Sequence, residues 1–123
     1  MTIALWCVLA AGLLPYAATL LAKGGTRFDN RNPRAWLAGQ TGWRARAHAA
    51  QLNSFEAFPL FAAAVLVAQA RHAPQTRLDA LALLFVGARI AYLGAYLTDR
   101  HLLRSTVWFV GFGAAVAIFV TGT

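Results

Sequence analysis

Four long apolar runs, separated by short polar connections, dominate the chain: residues 2–22, 47–70, 78–97 and 102–121. Each is close to the roughly 20 residues that a helix needs to cross the hydrocarbon of a bilayer. A backbone in lipid must satisfy its own hydrogen bonds, and the alternation of a membrane barrel strand is absent, so the runs are predicted to be helices. The expected fold is all-α: an integral membrane four-helix bundle, up-down, forming a single domain over residues 1–123. No Lys or Arg precedes the first run, and it is long for the core of a secretory signal, which favours an uncleaved first span.

Within this frame, the longest connection carries Gly24, Gly25, Asn30, Asn32, Pro33, Gly39 and Gly42, the residues of a structured loop. A short helical turn is expected from Pro33 to Ala38. The connection around Arg71 to Arg77 contains Pro74, and the one from Thr98 to His101 is very short. Pro59 interrupts the second run and predicts a kink unless neighbouring groups compensate. Small residues such as Ala62, Gly111, Gly113 and Ala114 permit close helix contact within a chain or between chains.

Composition agrees with a lipid environment: 59% of residues are hydrophobic and only 12% charged. The net charge of +7 does not point to nucleic acid, because the basic residues are distributed over connections between spans. Lys23, Arg27, Arg31, Arg34, Arg44 and Arg46 lie between the first and second spans, Arg100 and Arg104 flank the third connection, and only Arg71 and Arg77 lie in the second. By the positive-inside rule the first and third connections face the cytoplasm and both termini lie on the outer side. Trp6 and Trp43 suit interfacial positions. Cys7 has no partner for an internal disulfide and is expected to pack as a small apolar side chain. His48, His72 and His101 are not spaced as ligands of one metal, and no metal is expected.

The informative residues are polar groups at bilayer depth, where a charge costs about 2.5 to 3.5 kcal/mol on insertion scales. Counting ten residues inward from Arg46 and from Asp99 brings Glu56 and Arg89 to the same depth, about 15 Å in, where they are expected to form an ion pair. Arg46, Asn53 and Glu56 share one helical face, as do Arg89, Tyr92, Tyr96 and Arg100. Arg104 and Ser105 begin the fourth span at the level of Tyr96. One carboxylate cannot balance these guanidinium groups even with Asp99 nearby, so the cleft suits an anionic ligand bearing carboxylates, which arginine pairs with bidentately.

The run from Arg46 through Asn53, Glu56, Pro59 and Phe61, followed by Arg89, Tyr92 and Tyr96 and then Arg104-Ser105, resembles the MAPEG family, the membrane-associated proteins of eicosanoid and glutathione metabolism. The Asn-x-x-Glu-x-x-Pro motif is the specific part, and the resemblance covers the whole chain. It implies a homotrimer with glutathione as co-substrate bound between subunits near the cytoplasmic side, and, for a bacterial member, a multi-pass protein of the inner membrane. By position, the resemblance implies that Asn53 and Glu56 hold polar groups of the peptide and that Arg89 pairs with Glu56 or a glutathione carboxylate. Tyr92, Tyr96 and Ser105 would line the site, and Arg104 would face the sulfur. Where animal members that conjugate glutathione carry an arginine, four residues before the motif asparagine, this chain has Ala49, and Arg46 is the expected substitute.

The implied activity is that of a membrane-bound glutathione-dependent transferase or peroxidase acting on hydrophobic electrophiles or lipid hydroperoxides. A guanidinium beside the thiol would favour the nucleophilic thiolate. Two alternatives belong to other classes: a small four-helix transporter that uses Glu56 as a proton or cation site, and a non-catalytic MAPEG-like binding protein. The expected partners are membrane lipids, an apolar small molecule and further copies of the chain.

Overall fold

The computed structural model describes all residues from Met1 to Thr123. It contains α1 (Ile3–Lys23), α2 (Pro33–Ala38), α3 (Gly42–Ala70), α4 (Gln75–Leu97) and α5 (His101–Thr121), and no strand. All but α2 are long and apolar enough to cross a membrane. α3 and α4 form the central pair, and α1 and α5 pack on opposite sides, each touching both.

Only 26 of the 123 residues are buried, whereas Leu9, Leu20, Leu66, Phe109 and Phe119 point outward. An apolar exterior of this extent is what lipid solvates. The core is built from small side chains that let the helices close on one another, including Ala4, Ala64, Ala82 and Ala114. Larger groups fill what remains: Phe61 and Phe85 stack with ring centroids 3.9 Å apart, and Cys7 packs in the same cluster as expected.

Two tight reversals set the direction of the chain. α3 and α4 each end with a non-glycine residue in the left-handed region, His72 at φ 55° and Asp99 at φ 60°. In each, the next amide reaches back to the helix: Ala73 to the Ala68 carbonyl at 3.0 Å, and Arg100 to the Ala95 carbonyl at 2.8 Å. These are paired C-terminal closures that satisfy the orphan carbonyls of a last turn. The second one terminates α4 at Leu97 and lets α5 start after three intervening residues, which fixes where Arg104 emerges.

At the end of the bundle that holds the termini, polar groups form a closed network. Asp79 of α4 accepts the Ala4 amide at 2.9 Å and so caps the first turn of α1. Gln75 donates to Asp79 at 2.6 Å and to Gln69 at 3.2 Å, and the Thr2 hydroxyl donates to Gln69 at 2.8 Å. Arg71 donates to the Gly122 carbonyl at 3.3 Å. Gly122 lets the two helices approach closely there, since a Cβ would come within 3.1 Å of the Ala68 backbone.

At the opposite end, which holds the longest connection, two arginines on the first turn of α3 cap two other helices. Arg44 donates to the Ala22 carbonyl at 2.9 Å. Arg46 places Nε and Nη2 on the Leu97 carbonyl at 3.3 and 3.2 Å. Two residues of helix turn the side chains about 200° apart, which sends one to α1 and the other to α4. α2 forms over Pro33–Ala38, as the sequence predicts, and its Leu37 is buried with Ala22 and Ala47.

Two helices begin earlier than their apolar runs. α3 starts at Gly42 rather than at residue 47, and α4 at Gln75 rather than at residue 78. In both cases the added turn is largely polar, and Arg44, Arg46 and Gln75 bond to groups on other helices.

Candidate functional site

Three helices converge on one cleft. Asn53, Glu56, Ala57 and Leu60 repeat along one face of α3, Phe85 and Arg89 project from α4, and Trp108, Phe112 and Ala115 recur at three- and four-residue spacing on α5. Together they line a cavity of ≈ 180 Å³ that is polar toward the long-connection end and apolar toward the termini. A second cavity of ≈ 150 Å³ is bounded by Tyr92, Arg104, Ser105, Trp108 and Phe109. Trp108 lines both, and its ring stacks on Phe112 at 5.2 Å.

Arg89 is the central charge of the site, and only 3% of its surface is exposed. Its Nη2 donates to Asn53 Oδ1 at 2.8 Å and to Ser54 Oγ at 3.5 Å. The guanidinium carbon lies 4.2 Å from the centre of the Tyr92 ring. All of these partners are neutral. Burying a guanidinium without a counter-charge leaves a strong local preference for an anion.

The expected ion pair between Arg89 and Glu56 is not formed: Arg89 bonds one turn away, to Asn53 and Ser54. The cause is register. Counting along the sequence sets Arg46 level with Asp99, but Asp99 lies beyond the end of α4, and Arg46 meets the helix at Leu97. The two-residue difference displaces α4 by about 3 Å along its axis, enough to bring Arg89 opposite Asn53 and Ser54. Glu56 still lines the cleft with Arg89, but it is exposed and has no bonded partner.

Arg104 also lacks a carboxylate. Its guanidinium carbon sits 4.5 Å from the centre of the Tyr96 ring, and Tyr96 is edge-on to Tyr92 at 5.7 Å. The four groups Arg89, Tyr92, Tyr96 and Arg104 therefore form a continuous chain with a cation at each end and two edge-on rings between, each cation–ring contact worth of order 0.5 to 2 kcal/mol. Ser105 lies beside Arg104 on the rim of the second cavity.

Of the residues singled out from sequence, Asn53, Glu56 and Arg89 line the first cavity, and Tyr92, Arg104 and Ser105 the second. Tyr96 stands behind Arg104. Arg46 lines neither, because its fork is held by the Leu97 carbonyl. Sequence reasoning missed Ser54 and Trp108. A signal for Ser54 existed, since a guanidinium has five donors and one asparagine oxygen cannot serve them. A signal for Trp108 was its position one turn after Arg104 on the same face.

A family-level comparison adds an independent line. The model of the MAPEG family matches residues 3–122, nearly the whole chain. No curated protein matches it.

Proposed function

The chain belongs to the MAPEG family, and from that premise we propose that this integral membrane protein is a glutathione-dependent transferase or peroxidase. Its second substrate is a hydrophobic electrophile or a lipid hydroperoxide entering from the bilayer. The family includes glutathione transferases and peroxidases. The observation that carries the reading is the buried Arg89, held by neutral partners in a cleft whose only carboxylate is unbonded.

Glutathione matches this charge pattern. It carries two carboxylates for guanidinium groups, an ammonium for the free Glu56, and amides for Asn53. Arg104 would lie beside the sulfur and stabilise the thiolate, with Ser105 and Tyr96 as hydroxyl donors. In conjugation the thiolate attacks the electrophilic carbon, a C–S bond forms, the leaving group departs, and the thiol proton passes to solvent. In peroxide reduction two glutathiones supply two electrons, giving the disulfide, an alcohol and water. Arg46 contributes by fixing the end of α4 rather than by touching the peptide.

Neither cavity reaches the about 300 Å³ at which ligand pockets begin. A second copy covering the cleft would enlarge and enclose the site, which supports the homotrimer that the family resemblance implies. With the arginine-rich end facing the cytoplasm, both termini lie outside.

The test uses the purified oligomer in detergent with glutathione and a reactive aryl chloride. Binding of glutathione, read by isothermal titration calorimetry, and release of chloride are expected. Absence of both binding and glutathione consumption would sink the proposal.

A transporter reading gains from the free Glu56, which lines the cleft without an ion pair. It loses on the path, because the cleft closes onto the apolar cluster of Phe61, Phe85, Ala115 and Ile118. Proton-coupled uptake into liposomes that disappears in Glu56→Gln would favour it instead.

A further inference from the structure

Most of the eleven cationic side chains are already engaged. Arg44, Arg46 and Arg71 cap helix carbonyls, Arg89 and Arg104 belong to the cleft, and Lys23 lies 4.1 Å from the centre of the Phe28 ring. Arg27, Arg31, Arg34, Arg77 and Arg100 have no side-chain hydrogen bond or ion pair. Three of these five fall within one short stretch, 27–34, and all three are exposed.

That stretch is folded onto the bundle rather than loose. The Asn32 amide donates to the Asp29 carbonyl at 3.3 Å, and the Phe28 ring stands edge-on to Trp36 at 5.1 Å. The buried Leu37 pins the following helix against Ala22 and Ala47. The one local acid, Asp29, accepts the Arg31 amide at 3.0 Å and neutralises no guanidinium.

Its depth follows from helix length. α3 has 29 residues, about 43 Å, against a hydrocarbon core of about 30 Å. Its first turn, and the segment joined to it, therefore lie among lipid headgroups. Trp36 and the exposed Trp43 supply the amphipathic rings that favour this layer, and Phe28 packs edge-on against Trp36.

We propose that Arg27, Arg31 and Arg34 form a binding site for the phosphate of an anionic phospholipid headgroup, set beside the last turn of α1 and separate from the catalytic cleft. Three unpartnered guanidinium groups supply the charge, and the aromatic residues sit where the acyl region begins. A lipid is favoured over a free phosphate ion because the site is joined to two membrane spans at headgroup level. The inference does not depend on the catalytic reading.

The test titrates phosphatidylglycerol and phosphatidylcholine onto delipidated protein in detergent and counts bound lipid by native mass spectrometry. Phosphatidylglycerol should bind in preference, and its affinity should fall about fivefold for each arginine replaced in Arg27→Gln, Arg31→Gln and Arg34→Gln. Arg77→Gln, at the other end of the bundle, should keep the preference. On the unaltered protein, raising salt from about 0.1 to 1 M shortens the screening length from about 10 to 3 Å and should erase the preference. Equal binding of the two lipids overturns the proposal, as does a triple variant that retains the native preference. Displacement of phosphatidylglycerol by equimolar inorganic phosphate overturns the lipid assignment.

Discussion

The two polar regions of the bundle are built on opposite principles. At the terminal end, Thr2, Gln69, Gln75 and Asp79 close their hydrogen bonds on one another and on the Ala4 amide. In the cleft, Glu56 is unbonded, Arg104 faces only an aromatic ring, and Arg89 bonds only neutral groups. A closed network holds helices together. An open one leaves charge without a partner, which under the proposed function is what the ligand would meet.

Substitutions in the two regions break this comparison in different readouts. Arg104→Ala should lower kcat with an aryl chloride by about 10²-fold, the scale for removing one preorganised charge-stabilising donor, with little change in melting temperature. The thiolate absorbance of bound glutathione should vanish with it, and Arg104→Lys should restore part of both. A variant that keeps native kcat would remove Arg104 from the chemistry.

Glu56→Gln and Asp79→Asn form the sharper pair, because each replaces one carboxylate by its amide. Glu56→Gln should weaken glutathione binding about 10- to 100-fold, the scale of a charge-assisted hydrogen bond of about 1.5–3 kcal/mol. It should leave thermal stability unchanged or slightly raised. Asp79→Asn should do the reverse: about 1 to 2 kcal/mol lost from unfolding in detergent, with glutathione affinity intact. Exchange of the two outcomes would refute the division into closed and open networks.

A smaller effect is expected at the opposite end. Arg46→Ala removes both donors from the Leu97 carbonyl and should destabilise the bundle by about 1 kcal/mol. Its glutathione KM should stay within about twofold, since the guanidinium lines neither cavity. The smallest is Asp99→Gly, which relieves a left-handed backbone at φ 60° and should stabilise by up to about 1 kcal/mol. Both are read as shifts in melting temperature.

Much of this was legible in the sequence. The apolar runs give the four membrane-length helices, and Asn53, Glu56, Arg89 and Arg104 mark the cleft because polar and charged groups at bilayer depth are too costly to leave facing lipid. The first turns of α3 and α4 were hidden by their polarity. Trp43 to Arg46 and Gln75 to Arg77 look like connections until it is known that Arg44, Arg46 and Gln75 bond to groups on other helices. The partner of Arg89 was missed for a related reason. Spacing along one helix gives depth, but the relative height of two helices depends on where the intervening turn ends, and Asp99 lies outside α4 rather than in it.

The caps made by Arg44 and Arg46 also impose a chronology. If spans are delivered to the membrane in chain order, α1 is in place when the first turn of α3 emerges, so Arg44 finds the Ala22 carbonyl waiting. Its neighbour two residues on has no such acceptor, because Leu97 is synthesised 51 residues later. The newborn protein therefore passes through a stage in which one clasp is shut and the other open, and a nascent chain halted between the third and fourth helices should be caught with only the first fastened.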